Sequence, residues 1–159
     1  MPATLRTLAA RDAAAARALA DTLLGDTPHA DGMLASLDEA LASASGEYRA
    51  IGAHDRNTLV GFVVFGETAG AIGAGRIYGV AVDAARRRRG LATALIEAAC
   101  ADLRAGGARF ATIELPEEAD LAPGLALASH TGFDEEGRVS DYVRDGVGLL
   151  ILRRELRSP

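Results

Sequence analysis

Hydrophobic positions along the chain follow two different spacings, and the change between them separates predicted helices from predicted strands. Apolar residues recur every three or four positions over about 13–24 and about 31–44, which is the repeat of an amphipathic helix. The runs 47–55, 58–67 and 76–82 are instead typical of strands, and the first two are joined by "HDRN" as a hairpin. The first half of the chain therefore predicts two helices followed by three antiparallel strands.

The second half of the chain alternates between helices and strands. A helix over about 90–105 separates strand 76–82 from a strand at 108–115, and a short helix is predicted after Pro123. Two last strands, "GRVSDYV" and "VGLLILRREL", flank an Asp-Gly dipeptide that is typical of a hairpin turn.

With a first strand at 4–12, these elements follow the order β-α-α-β-β-β-α-β-α-β-β. Asp12 is predicted to cap the first helix and Gly25 to end it. The central β-α-β crossover makes strands 76–82 and 108–115 parallel neighbours. The prediction is an α/β fold of the α+β type, with a mixed central sheet of about seven strands and flanking helices.

Composition and charge narrow the classes of protein to which the chain can belong. Its 159 residues, 49% apolar and 25% charged, suit one compact domain over residues 1–159. All 17 basic residues are arginine, and the net charge of −5 argues against nucleic acid as a partner. No apolar run reaches the ~20 residues that cross a bilayer, and no secretion signal leads the chain. With a single cysteine, Cys100, we expect a cytoplasmic protein without a membrane partner.

Four consecutive arginines interrupt this mildly acidic sequence just after strand 76–82, in "VAVDAARRRRGLATALIEAA". The helix that follows would present unpaired backbone N–H groups and a partial positive charge, both of which attract phosphate. Gly90 would let a ligand approach the backbone closely, and Ala92 is nearly as small. A phosphorylated ligand is the favoured interpretation, and a solvated turn that caps the helix is the alternative.

Two other phosphate-binding motifs do not fit the chain. A Walker loop ends in Gly-Lys-Ser or Gly-Lys-Thr, and this sequence contains no lysine. A dinucleotide fingerprint beginning at Gly73 and Gly75 would meet Tyr78 where its third glycine belongs, and a strand rather than a helix follows it.

The stretch "GVAVDAARRRRGLATALIEAA" resembles the acetyl-coenzyme-A-binding motif of the GNAT N-acetyltransferase superfamily. That motif has an arginine or glutamine, two residues, a glycine, one residue, and then glycine or alanine, as Arg87 to Ala92 have here. The order of elements and "HTGF" at 130–133 resemble the family as well. The resemblance implies that backbone N–H groups of 88–93 hold the pyrophosphate and that the main chain of 80–82 pairs with the pantetheine arm. The residues that it assigns to acetyl-CoA are Val80, Ala81, Val82, Arg87, Arg88, Arg89, Gly90, Leu91, Ala92 and Thr93.

The resemblance also implies transfer of an acetyl group from acetyl-CoA, as co-substrate, to an amine. A backbone N–H of the central strand, at Val82 or a neighbour, would polarise the thioester carbonyl. The tyrosine that often protonates the thiolate in this family stands four residues before the glycine of the Gly-Phe pair, and Ala128 holds that position here. The central strand has Arg76 and Gly79 in place of the carboxylate often found there.

Three residues are candidates for the catalytic acid and base. Glu114 is a candidate base if it is buried, and the equal alternative is a hydrated or arginine-paired residue at the end of its strand. Glu67 ends strand 58–67, where it faces either the cleft or the solvent. Tyr142 either lines the acceptor site or protonates the thiolate, with cross-strand packing as the alternative.

The sequence leaves two functions open. The first is acetyl transfer to an amine of a small molecule or peptide, and Asp26, Asp31 and Glu67 favour a cationic amine. The second is a non-catalytic CoA-binding sensor or interaction module, which the absent tyrosine favours. The resemblance allows a homodimer. His29 and His54 have no partners at metal-ligand spacing, so no metal site is predicted.

Overall fold

The computed structural model describes residues 3–23, 28–43, 46–118 and 121–158. Its strands are β1 (Thr4–Thr7), β2 (Tyr48–Asp55), β3 (Thr58–Glu67), β4 (Ala74–Val82), β5 (Phe110–Pro116), β6 (Asp134–Arg144) and β7 (Val147–Glu155). Its helices are α1 (Ala13–Leu23), α2 (Pro28–Ala42), α3 (Leu91–Ala105) and α4 (Leu121–His130). The order of these elements along the chain is the predicted one.

All seven strands join one sheet in the order β1-β2-β3-β4-β5-β7-β6. β4 and β5 pair in parallel, and the other neighbouring strands pair antiparallel. α3 makes the crossover between the two parallel strands, and the β6–β7 hairpin extends the sheet beyond β5. The predicted mixed sheet with flanking helices is confirmed.

Helices cover both faces of the sheet and bury a hydrophobic cluster on each. α3 and α4 pack on one face, over side chains that include Val63 and Ile77. α1 and α2 pack on the other face, over Phe62 and Val64. Cys100 of α3 lies in the first cluster, where burial raises the pKa of its thiol to about 11. Among the described residues, no helix is both long and apolar enough to cross a bilayer.

The segment before α1 differs from the prediction. β1 is shorter than expected, and a 3-10 turn, Ala10–Asp12, precedes the helix. The Asp12 carboxylate accepts the N–H of Ala9 at 2.9 Å and pairs with Arg6 at 2.8 Å. The predicted N-cap role of Asp12 is therefore wrong, because the helical path already begins at Ala10 and the Asp12 carboxylate bonds back to Ala9 and across to Arg6. Gly25 lies outside the described residues.

β4 remains paired with β3 along its length but leaves β5 halfway. Its pairing with β5 covers Ala74 to Ile77, whereas its pairing with β3 continues to Val82. A bulge at Tyr78 interrupts the β3–β4 register and bends β4 where the two parallel strands separate. The C-terminal half of β4 therefore has a strand partner on one edge only, and its other edge is open. The candidate site lies along this open edge.

The Arg6–Asp12 pair leads to a prediction about stability. The hydrogen bond from Arg6 lowers the pKa of Asp12 from 3.8 to about 2. Asp12→Asn is therefore expected to lower the free energy of unfolding by about 2 kcal/mol near pH 7. A depressed carboxylate pKa stabilises the folded state above the unfolded pKa, so the difference should vanish as the pH falls from about 4 toward about 2. Denaturant titrations at several pH values measure it.

Asp21→Asn, on the exposed side of α1, is the control for this substitution. It should change the free energy of unfolding by less than about 0.5 kcal/mol. Equal losses in the two variants, or a loss in Asp12→Asn that persists in acid, would contradict the stabilising role of the pair.

Candidate functional site

A cavity of about 650 Å³ lies between the C-terminal half of β4, the N-terminus of α3 and the first turns of α4. α4 begins before its predicted start because Pro123 lies in the first turn of the helix, where no N–H is needed. The cavity is lined by Leu23, Val80, Ala81, Val82, Arg86, Arg87, Arg88, Gly90, Leu91, Ala92, Thr93, Pro123, Gly124 and Leu127. Every residue that the sequence assigned to acetyl-CoA except Arg89 thus lines one cavity.

The turn before α3 leaves several backbone N–H groups without an acceptor in the helix. A 3-10 turn, Ala84–Arg86, is capped by Asp83, whose carboxylate accepts a backbone N–H at 3.1 Å. Gly90 then caps α3 without a side-chain hydrogen bond, and the first helical bond runs from Ala94 N–H to the Gly90 carbonyl at 2.9 Å. The N–H groups of residues 91–93 are therefore available to an anion.

Two residues of this turn have left-handed backbone conformations. φ is 75° at Gly90 and 64° at Arg88. An L side chain costs about 1–2 kcal/mol in this region, which explains the glycine. A Cβ at Gly90 would meet no protein atom within 4 Å, so the space beside the helix N-terminus is open.

The four arginines have different surroundings. Arg86 pairs with Asp55 at 3.4 Å. Arg87 donates from Nε to the last carbonyl of β4 at 3.4 Å. Arg88 and Arg89 are exposed, and within the described part of the chain neither has an ion pair. Arg87, which is also exposed, has no ion pair in the described residues either, so the positive charge without an acidic partner lies on Arg87, Arg88 and Arg89.

The open edge of β4 presents backbone groups from alternate residues. Asp83 donates its N–H to the carbonyl of Val60 in β3 at 2.8 Å. Because backbone groups alternate in direction along an antiparallel strand, Val82 and Val80 direct theirs away from β3, into the gap beside β5. The backbone groups of Ala81 point toward β3. Of the three residues predicted to pair with an extended ligand, Val80 directs both backbone groups into the gap, whereas Val82 offers its N–H because its carbonyl accepts from Arg87.

A smaller cavity of about 190 Å³ continues the gap between β4 and β5 and shares Val80 with the first cavity. Ile96 and Ala128 line it from the α3–α4 face, and Met33 lines it from α2. A Cβ at Gly79 would lie 2.3 Å from the Met33 sulfur, so glycine at this position admits α2 close to β4. The gap therefore opens toward both faces of the sheet.

Polar groups meet at the α1–α2 side of the smaller cavity. Glu114 lines this cavity, and its Oε2 lies 2.6 Å from Nη1 of Arg76. Glu114 is thus paired with an arginine, as one alternative predicted, and it also lines the cavity, where a base would have to lie. The Arg76 guanidinium lies 4.7 Å from the ring centre of Tyr78, which packs against Tyr48. Burial raises the pKa of Tyr78 to about 12, so its hydroxyl keeps its proton.

The other two catalytic candidates do not line either cavity. Tyr142 is 63% exposed, in a bulge of the edge strand β6 where residues 140–143 face Gly148 of β7. Glu67 lies at the far end of β3 and pairs with Arg49 at 3.0 Å. Hydrogen bonding from Arg49 lowers the pKa of Glu67. The structure thus brings Glu114, but not Tyr142 or Glu67, to the gap.

Sequence reasoning missed Arg76, Tyr78 and Met33 as residues of the site. The charged residue Arg76 within the apolar run "RIYGVAV" could have indicated a polar site here, because a charged side chain is rarely buried without a partner. Of the carboxylates predicted to attract a cationic amine, Asp26 lies outside the described residues and Asp31 is exposed on α2. Where the structure describes the chain, no three His, Cys, Asp or Glu side chains cluster as a metal site.

Comparisons with known proteins agree with this geometry. The sequence model of the acetyltransferase (GNAT) family matches residues 16–133. No curated protein matches the chain at a significant level. The crystal structure of an acetyltransferase assigned to the GNAT family, from Desulfovibrio desulfuricans, shares 26% sequence identity and a TM-score of 0.88. The alignment covers 98% of this chain and 99% of that one.

Two further solved structures share the fold at lower identity. The ribosomal-protein-S18-alanine N-acetyltransferase from Escherichia coli is 18% identical with a TM-score of 0.77, over 99% of this chain and 96% of that one. An aminoglycoside 6'-acetyltransferase type Ii is 16% identical with a TM-score of 0.78, over 98% and 99%. These two likenesses show the fold alone. Because the family model spans most of the sequence, the chain belongs to the GNAT acetyltransferase family.

Proposed function

We propose that this protein transfers an acetyl group from acetyl-CoA to the amine of a small molecule or peptide. The observation that carries the proposal is the gap between β4 and β5, which runs from a helix N-terminus suited to phosphate to the carboxylate of Glu114. Membership of the family supports acyl transfer in general, and acetyl-CoA is the co-substrate typical of that family.

The residues around the larger cavity fit acetyl-CoA in charge and in shape. The N–H groups of residues 91–93 suit its pyrophosphate, and Arg88 and Arg89 add charge for its phosphates. Both backbone groups of Val80 and the N–H of Val82 face the amides of an extended pantetheine arm. Arg87 supports this edge by holding the carbonyl at the end of β4.

The smaller cavity supplies groups for the chemistry. The N–H of Val80 or Val82 is proposed to polarise the thioester carbonyl, and Glu114 to accept the amine proton, directly or through water. The acceptor nitrogen bonds to the carbonyl carbon while the C–S bond breaks, and the sulfur takes up a proton to leave as a thiol. Catalytic roles for Tyr142 and Glu67 stay predictions.

The non-catalytic CoA-binding module remains a second candidate because of one observation. Ala128, which holds the place of the family's tyrosine, is 1% exposed and packs in the core.

We also propose that residues 1–159 form a single domain, since one sheet contains strands from Thr4 to Glu155. The buried single cysteine supports a reducing, cytoplasmic location. The homodimer stays a prediction.

Substitution of Gly90 tests the binding of the donor. Gly90→Val places a branched side chain in the open space beside the α3 N-terminus and strains a left-handed residue. We expect the affinity for CoA, measured by calorimetry, to fall by about 100-fold, or roughly 2.7 kcal/mol.

Gly107→Val is the matched control, because Gly107 also has a positive φ, of 94°, and open space around a Cβ, but lies beyond the other end of α3. It should introduce the same strain and retain CoA affinity. Similar affinities of the two variants for CoA would contradict the proposed phosphate site.

Substitution of Glu114 tests catalysis. Glu114→Gln removes the proton acceptor but keeps the size of the side chain, so kcat in a thiol-release assay is expected to fall by about 100-fold or more. CoA affinity should stay the same, because Glu114 does not line the larger cavity. Glu118→Gln, which breaks a comparable pair with Arg144 at 2.7 Å, should retain activity. Tight CoA binding without thiol release for any amine would favour the non-catalytic module.

A further inference from the structure

The Arg76–Glu114 pair is a charged group at the acceptor side of the gap. Both residues extend from the sheet face that α1 and α2 cover, Arg76 from β4 and Glu114 from β5. Their side chains are 33% and 20% exposed, so the pair is partly withdrawn from water but still reachable. Glu114 lines the cavity itself, and Arg76 flanks it through Tyr78.

The pair leaves hydrogen-bonding capacity unused. The contact joins Nη1 of Arg76 to Oε2 of Glu114. Nε of Arg76 is buried and, among the described residues, has no hydrogen-bond partner. Nε itself is closed to a ligand, but the Arg76 side chain is 33% exposed, so an anion can reach the remaining, exposed edge of the guanidinium and add a charge-assisted hydrogen bond there. The same edge is held in place by the ring of Tyr78 beneath it.

A cation and an anion side by side are complementary to a ligand that carries the opposite charges at the same spacing. We infer that the acceptor is a small zwitterionic amino acid, whose carboxylate pairs with Arg76 while its ammonium pairs with Glu114. This inference rests on the proposed acetyl transfer, and it narrows the amine to one with an adjacent carboxylate.

The remaining wall of the cavity defines the side chain of this acceptor. Met33 supplies apolar surface from α2, and Ile113 and Leu115, which flank Glu114 in β5, line the cavity from the α3–α4 side of the sheet. The volume of about 190 Å³ is below the roughly 300–1,000 Å³ of most ligand pockets. An amino acid with an aliphatic side chain of modest size fits this combination, whereas a polyamine has no anion for Arg76.

The reaction changes the charges in a way that favours turnover. The acceptor ammonium first gives one proton to the Glu114 carboxylate or to solvent. The free amine then forms the C–N bond as the C–S bond breaks, the nitrogen loses a second proton, and the sulfur gains one. The product is a neutral amide that retains its carboxylate, so its attraction to Glu114 is lost and release is favoured.

Matched acceptors test the inference in the unmodified protein. L-Leucine, L-leucinamide and 3-methylbutylamine share a side chain, but only leucine carries the carboxylate. With saturating acetyl-CoA, kcat/KM for leucine in a thiol-release assay should exceed that for each of the other two by more than about tenfold. Spermidine and a short peptide are tested in the same assay to represent polyamine and peptide acceptors.

Arg76→Gln should reduce the preference for leucine over 3-methylbutylamine by about tenfold or more, mainly through KM, and Arg76→Lys should restore part of it. Arg154→Gln removes an arginine from a pair with Glu97 on the other face of the sheet and should leave the preference unchanged. CoA titration shows that each variant is folded.

Two results would overturn the inference and identify what has failed. If L-leucinamide, 3-methylbutylamine, spermidine or the peptide is acetylated as well as leucine or better, the zwitterionic acceptor is wrong and acetyl transfer stands. If no acceptor releases thiol, acetyl transfer fails and the inference fails with it, and binding heat from CoA then separates the non-catalytic module from a chain that does not bind CoA.

Discussion

The separation of β4 from β5 after Ile77 is the constraint on which both cavities depend. In a fully paired sheet, the backbone groups of Val80 and Val82 would bond to β5, and no ligand could reach them. The bulge at Tyr78 bends β4 away while its pairing with β3 continues, so the strand stays ordered although one edge is open. Open backbone groups near a core are costly unless something satisfies them, which connects this geometry to an extended ligand.

The two ends of the gap differ in charge, and each end suits one of the two substrates of the proposed reaction. The chain is acidic overall, with a net charge of −5, yet the turn before α3 gathers exposed arginines at a helix N-terminus. That end suits the phosphates of the donor. At the other end, Arg76 and Glu114 neutralise each other, so the acceptor side presents a dipole rather than a net charge. A single continuous gap thus offers different recognition chemistry to each substrate.

Local patterns predicted most of the fold because strand and helix periodicity depends on neighbouring residues. The predicted strand at 58–67 has the bounds of β3, and the motif from Arg87 to Ala92 located the turn before α3. Long-range contacts were not predictable in this way. The bulge at Tyr78 has no local signal, and the Arg76–Glu114 pair depends on the parallel register of two strands that are distant in sequence. For the same reason the pairing of Glu67 with Arg49 is visible only in the folded chain.

A crystal structure with bound acetyl-CoA would show whether the gap between β4 and β5 holds the donor. We expect pyrophosphate oxygens within hydrogen-bond distance of the N–H groups of residues 91–93. We also expect pantetheine amides paired with Val80 and Val82, and the acetyl carbon in the gap beside Glu114. Acetyl-CoA bound elsewhere, or bound with β4 and β5 closed against each other beyond Ile77, would disprove this role of the gap.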